Sequence, residues 1–268
     1  MPELPEVETI RRSLEDVQGA GITDLQINRA EVIRRQEYEP ESVVGQIIRE
    51  VRRRGKFLVL KLKTEKYLIL HMGMSGRFYL TGEDEELTEP HIHVIIHLDN
   101  GRKIVYQDAR RFGGVWFIRD CQKFFEKMGP EPLTREFNPD YMEKAFKGRK
   151  APVKNLILDQ HLVAGIGNIY ADESLFAAGI RPDRMAGTLT ADEIKKLCQA
   201  IKKVLRTSIE QRGTTFRDYR DGYNRKGGFQ DYLKVYGKKN SPCPLCGNPL
   251  IVTRIGGRSS HFCETCQK

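Results

Sequence analysis

The 268 residues, 39% hydrophobic and 30% charged, suit a folded globular protein of two ordinary domains and exclude a disordered chain. No apolar run approaches the ~20 residues that span a bilayer, and the start MPELPEVET lacks the basic and apolar regions of a secretory signal. The expected setting is therefore cytoplasmic, with no membrane. Lys+Arg outnumber Asp+Glu by 45 to 36, a net charge of +9 that either attracts a polyanion or merely solubilises the chain.

Pro5 and Glu6 open an apolar series, Val7, Ile10, Leu14 and Val17, at near-helical spacing. Proline is tolerated in a first turn and acidic side chains complement the positive end of the helix dipole, so a helix starts almost at the N-terminus. From 22 to about 119 the pattern changes to short β-rich runs: Phe57 to Leu62, Tyr67 to Leu70, Ile92 to Leu98 and Ile104 to Tyr106. Thr81-Gly82 and Asn100-Gly101 read as turns between antiparallel strands, which predicts a β-sandwich with the first helix packed on it. Basic residues cluster at Arg52, Arg53, Arg54 and Lys56, again at Arg110 and Arg111, and further on at Lys147, Arg149, Lys150 and Lys154. Short blocks of this kind favour a folded binding surface over a basic tail.

The stretch GPEPLTREFNP at 129–139 breaks every pattern and divides the chain. The expected organisation is a β-sandwich domain over 1–128, a linker over 129–139, a helical domain over 140–237 and a metal finger over 238–268. The clearest helix begins at Thr190, whose hydroxyl can cap it while Glu193 reaches back. Its apolar face is Ile194, Leu197, Cys198, Ile201, Val204, Leu205 and Ile209, so Cys198 reads as a buried thiol. Residues 212–231 are Gly-rich, charged and aperiodic, as a long functional loop would be.

Cys243-Pro-Leu-Cys246 and Cys263-Glu-Thr-Cys266 are two CxxC knuckles whose four thiolates can close a tetrahedral shell. Four cysteine ligands leave no open position for chemistry, so the expected ion is one structural zinc. Between the knuckles a hairpin over Leu250 to His261 would carry Arg258 at its tip. His91, His93 and His97 share the parity of one strand face, which allows either a second metal or ordinary packing.

These residues converge on one family. The segments MPELPEVET, HMGMSG at 71–76, DARRFGG at 108–114, VAGIGNIYADESLF at 163–176 and the terminal CPLCG…GRSSHFCETCQ resemble formamidopyrimidine-DNA glycosylase, in order along essentially the whole chain. The related endonuclease VIII branch shares the finger and the PELPE start but not the VET that follows here. The resemblance implies an α+β fold: a β-sandwich joined by a hinge to a helical domain with a helix–two-turn–helix and the zinc-finger β-hairpin. It implies a monomer acting on double-stranded damaged DNA, which runs in the cleft between the domains.

It also implies the chemistry. On its residues alone Pro2 reads as a helix-start proline. In the family, removal of Met1 exposes it as a secondary amine that attacks C1′ of an oxidised nucleotide. The released purine is 8-oxoguanine or a formamidopyrimidine, and the resulting iminium drives β,δ-elimination. The resemblance makes Glu3 the acid, places Glu6 in the lesion pocket and makes Lys56 a catalytic phosphate contact. It carries Met74, Arg110 and Phe112 over as fillers of the void left by the flipped nucleotide. His71, Lys154, Asn168, Tyr236 and Arg258 become DNA contacts. Glu8 receives no role. Two other readings stay open: a zinc-ribbon regulator without catalysis, and the same chemistry aimed at oxidised pyrimidines.

Overall fold

The computed structural model describes residues 1–216 and 219–268, which pack into two compact units. Met1–Lys127 with Gln211–Gly228 form the first; Met128–Glu210 with Phe229–Lys268 form the second.

In the first unit α1 (Leu4–Ser13) is followed by nine strands: β1 (Ile22–Ile27), β2 (Ile33–Gln36), β3 (Ile48–Arg54), β4 (Phe57–Leu62), β5 (Tyr67–His71), β6 (Arg77–Gly82), β7 (Ile92–Leu98), β8 (Arg102–Gln107) and β9 (Gly114–Ile118). They make a four-stranded sheet, β1-β7-β8-β6, and a five-stranded sheet, β2-β9-β5-β4-β3, in which only β2 and β9 run parallel. The period-two alternation of each strand sorts its side chains. Leu58, Leu60 and Leu62 enter one core with Leu68, Leu70, Val115 and Phe117, against Phe78, Val94, Ile96 and Tyr106 of the other sheet. Val7, Ile10, Leu14 and Val17 join the same core, which is why α1 lies on the sandwich. Val59, Ile69 and Ile118 face the other way and are covered by Phe124 and Phe125, at the end of the one-turn α2 (Cys121–Phe124).

Two readings of the sandwich change. Thr81 and Gly82 are not a turn; they pair with Lys103 and Arg102 as the last residues of β6. Asn100-Gly101 does link β7 to β8, with Gly101 at φ +74°. The three histidines do not share a metal face. His91 lies outside the strand at φ +67°, and an irregularity between Ile92 and Val94 breaks the alternation.

The second unit holds α3 (Pro139–Phe146), α4 (Val153–Leu158), α5 (Asn168–Ala178), α6 (Ala191–Glu210) and the hairpin β10 (Ile251–Ile255)–β11 (Arg258–Phe262). Thr190 and Glu193 form the expected capping box: Thr190 N–H donates to Glu193 Oε2 at 2.8 Å and Glu193 N–H to Thr190 Oγ1 at 3.3 Å. The buried face of α6 includes Ile194, Leu197, Cys198, Ile201, Leu205 and Ile209. Residues Ile169 to Phe176 of α5 are all buried, as expected of a helix that packs on α4, α6 and β11 together. Gly179 ends α5 at φ +71°, a left-handed position that suits glycine. Among the described residues no helix is long and apolar enough to cross a membrane.

Candidate active site and metal centre

In the first unit the start of α1 is a buried acidic cluster. Pro2, Glu3 and Glu6 are all buried, while Met1 is half exposed. Three residues per near-turn bring the Glu6 carboxylate back to the helix start, where Oε2 accepts the Glu3 N–H at 2.8 Å. The other oxygen, Oε1, accepts the Thr214 N–H at 2.7 Å. Glu6 thus ties the N-terminal residues to the segment after α6. Gly213 has φ +76°, and a Cβ there would stand 2.8 Å from Glu6 Oε1, so the close approach requires glycine. The segment 219–228 continues along the same unit: Gly222 accepts the Leu80 N–H, and Tyr223 donates its hydroxyl to Asp16. Residues 217 and 218, within the long functional loop expected over 212–231, lie outside the described residues. Glu8 points elsewhere. Burial would raise its carboxyl, but Arg11, Arg53 and Arg12 around it hold it below the usual range.

Lys56 sits, buried, in the tight β3–β4 connection, next to Phe57, whose ring lies 4.6 Å from that of His71 on the neighbouring strand. Burial, then the positive charge of Lys56, pushes His71 down to about 4, with Asp108 opposing. The His71 ring is therefore neutral at pH 7, and its Nδ1 accepts the Gly73 N–H at 3.1 Å.

His71 begins the first of two interlocked loops. Met74 stands 45% exposed on it; Phe112 stands 62% exposed on the second, beside exposed Arg110. Single exposed apolar side chains are ordinary, and Leu245 is more open still; Met74 and Phe112 are set apart by standing on two loops that touch. The loops touch through glycine backbone: a Cβ on Gly73 would lie 2.3 Å from Gly113 N. Asp108, fully buried, fastens both. Its Oδ1 accepts from the Ser75 hydroxyl and the Arg110 N–H, its Oδ2 from the Tyr106 hydroxyl and the Gly113 N–H. Burial would raise this carboxyl, yet those donors hold it below the ordinary aspartate range. His93 Nε2 bonds the Asp108 carbonyl at 2.8 Å, and Arg34 donates to the carbonyls of Gly113 and Arg111. His97 pairs with Glu83. His93 and His97 are structural ties and His91 is exposed, so the four cysteines are the one metal-capable cluster among the described residues.

In the second unit the sulfurs of Cys243, Cys246, Cys263 and Cys266 all lie within 4.8 Å of one another, with Cys243–Cys266 at 3.9 Å and Cys246–Cys263 at 3.5 Å. A tetrahedron of Zn–S bonds near 2.3 Å has edges of about 3.8 Å, so the donor set fits one zinc. The finger is fastened to the end of α5: Gln267 accepts the Cys263 N–H and donates to the Ile180 carbonyl. Its hairpin turns through Gly256 and Gly257, at φ +55° and +78°, and leaves Arg258 exposed.

Three further residues expected at DNA lie here. Asn168 heads α5 and donates to the Ser259 carbonyl at 2.9 Å. Tyr236 is half-buried against the His261 ring, and its N–H reaches Glu173. Glu173 also accepts from the Lys234 and Val235 N–H groups; burial nevertheless leaves its carboxyl above the ordinary range. Lys154 departs from expectation. It is completely buried, its ammonium 2.6 Å from Asp172 Oδ1 and 2.8 Å from both Ser259 O and Ser260 Oγ, so it presents no charge at the surface.

Known proteins share this organisation. Family models match in sequence: the formamidopyrimidine-DNA glycosylase N-terminal domain over residues 1–115, its H2TH domain over 128–220, and the zinc finger found in FPG and IleRS over 240–268. The formamidopyrimidine-DNA glycosylase of Syntrophomonas wolfei is 55% identical over 268 residues, all of both chains. The MutM (FPG) structure from Thermus thermophilus is 39% identical with a TM-score of 0.89, covering 99% of this chain and 98% of that one. A Lactococcus lactis FPG mutant, solved with a Fapy-dG containing DNA, superposes at TM-score 0.93 and 32% identity over the whole of both chains. The chain therefore belongs to the formamidopyrimidine-DNA glycosylase family.

Proposed function

We propose that the chain excises oxidised purines from duplex DNA through its N-terminal proline and then cleaves the strand at the abasic site. Base-excision glycosylase activity comes with the family; the residue roles and the lesion class are our reading. The observation that carries it is the buried cluster at the start of α1, where Glu3 follows Pro2 and Glu6 is held at both oxygens, one of them by the Glu3 N–H.

Once Met1 is removed, the Pro2 nitrogen is an α-amino group, which titrates nearer neutrality than lysine and keeps a usable lone pair at pH 7. It attacks C1′ as the base departs, and Glu3 supplies the proton to the leaving base or to the sugar oxygen. A secondary amine gives an iminium with no N–H to lose, so its charge acidifies the C2′ hydrogen. Loss of that proton gives an enamine that expels the 3′-phosphate (β-elimination), and loss of the C4′ proton then expels the 5′-phosphate (δ-elimination). Glu6 holds Thr214 and, through it, one end of the 211–228 segment. Lys56 serves the phosphate beside the lesion, with His71 as a neutral neighbour. Met74, Arg110 and Phe112 fill the vacated stack. Asn168, Tyr236 and Arg258 bind backbone, with residues 1–128 as the catalytic domain, 129–139 as linker, 140–237 as the helical domain apart from Gln211–Gly228, which belong to the first compact unit, and 238–268 as the zinc finger. A monomer working on cytoplasmic chromosomal DNA suits these roles.

Borohydride trapping tests the reading. An abasic duplex should become covalently attached to the N-terminal peptide of the Met1-free protein. Attachment to Lys56, or undiminished trapping by a form that retains Met1, would overturn it. Trapping rates on 8-oxoguanine against oxidised-pyrimidine duplexes then decide the lesion class.

A further inference from the structure

Lys154 and Asp172 form an ion pair with no solvent exposure on either side chain, joining α4 to α5 at 2.6 Å. Such a pair is costly to bury, and removing one partner leaves an uncompensated buried charge. Both partners also grip one strand of the hairpin. Lys154 Nζ donates to Ser259 O and Ser260 Oγ, and Asp172 Oδ2 accepts the His261 N–H at 2.9 Å and meets His261 Nδ1 at the same distance. Asn168 adds a second donor to Ser259 O. Every one of these bonds lands on the three residues immediately after Arg258. Across the turn, Gly256 fits so closely on Asn155 of α4 that a Cβ there would lie 2.3 Å from its Oδ1.

We propose that the Lys154–Asp172 pair is a positioning device for Arg258: it seats β11 on α4 and α5 and so fixes where the Arg258 guanidinium meets a DNA phosphate, without Lys154 touching DNA. The inference rests on Arg258 being a phosphate contact. Zinc closes the base of the finger, at the cysteines; the buried pair holds the hairpin that projects from it. The two anchors are separable, so loss of the pair should spare the metal.

The test is a double-mutant cycle in the full-length protein, using Lys154→Met and Arg258→Ala. Binding is measured on a duplex carrying a tetrahydrofuran abasic analogue, over a range of KCl. Each single variant should lose roughly tenfold in affinity, as for one charge-assisted contact, and the salt slope should flatten by about one phosphate. The double variant should lose little more than either single one, because both changes remove the same contact. Zinc should remain at one per chain. Because Lys154→Met alone leaves a buried aspartate unpaired, Lys154→Met/Asp172→Asn serves as the variant without an orphaned charge, and it should show the same non-additivity with Arg258→Ala. Additive losses would make Lys154 an independent contributor and overturn the inference, as would unchanged binding by both Lys154 variants beside a weakened Arg258→Ala. Unchanged binding by Arg258→Ala would instead remove the phosphate reading of Arg258, and the inference with it.

Discussion

The Ser75 hydroxyl donates to Asp108 Oδ1 at 2.7 Å, and that one bond ties the loop bearing Met74 to the loop bearing Arg110 and Phe112. The other Asp108 bonds complete the clamp, two of them from backbone N–H groups that cannot be reoriented. An aspartate can satisfy all four donors; an asparagine cannot, since its amide nitrogen must face either the Arg110 or the Gly113 N–H.

Asp108→Asn should therefore leave one buried N–H without an acceptor and destabilise the protein by about 1–3 kcal/mol. Hydrogen exchange locates the effect: the Gly113 or Arg110 amide should lose protection while amides of α6 keep theirs. A variant as stable as the parent, with both amides still protected, would show that the clamp is dispensable.

The ring of His71 offers a pH test. Its folded value, about 4, lies below the ordinary 6.5, so the unfolded chain binds the extra proton first. The sign follows: the contribution is fully present above pH 6.5 and is lost as pH falls from 6.5 toward 4, up to about 3 kcal/mol in all. Side-chain NMR should show no protonation of His71 above about pH 5, and Lys56→Met should move its midpoint upward by removing a nearby cation. A midpoint near 6.5 in the parent protein would contradict the burial and the Lys56 charge together.

How far residues alone reach is uneven, for physical reasons. The cysteine knuckles, the α1 face and the Thr190 cap are local patterns, and each is where periodicity or spacing puts it. Long-range ties have no such signature. Arg34 supports the Phe112 loop from 79 residues away, and the hairpin acceptors of Lys154 lie more than 100 residues along the chain. A lysine in a basic block reads as surface charge until its buried aspartate partner is seen. The histidine parity fails for a related reason, since a single irregularity in β7 ends the alternation. Asp108 stands inside a motif that resembles the family, yet nothing in its neighbours announces four bonds.

Removing the metal should act on the second unit. One zinc per chain should be released by chelation under denaturing conditions or by Cys246→Ser, and the finger contributes folding energy only when its thiolates are gathered. The expected result is loss of tight DNA binding together with a lower melting temperature. Stoichiometric tight binding by a fully metal-free protein would show that the finger's fold does not depend on the ion.

Met74, Arg110 and Phe112 give the most discriminating comparison. Their side chains are exposed, so truncating Met74 or Phe112 to Ala should change stability by only about 0.5 kcal/mol, unlike a core deletion of the same size, which costs several. Their work begins when a base leaves the stack. Flipping costs a few kcal/mol for a paired base and least for a site that has already lost it. Apolar contact from Met74 and Phe112, with polar contact from Arg110 to the orphaned partner base, recovers part of that cost. Phe112→Ala and Arg110→Ala should therefore slow excision of an oxidised base at least tenfold more than they slow strand cleavage at a ready-made abasic site. Pro2→Gly should impair both, because both pass through the same covalent step. Single-turnover rates on a lesion duplex and an abasic duplex, measured for each variant alongside its melting temperature, separate the cases. Equal losses on the two substrates would assign these side chains to general DNA binding, and a large fall in melting temperature would assign them to the fold.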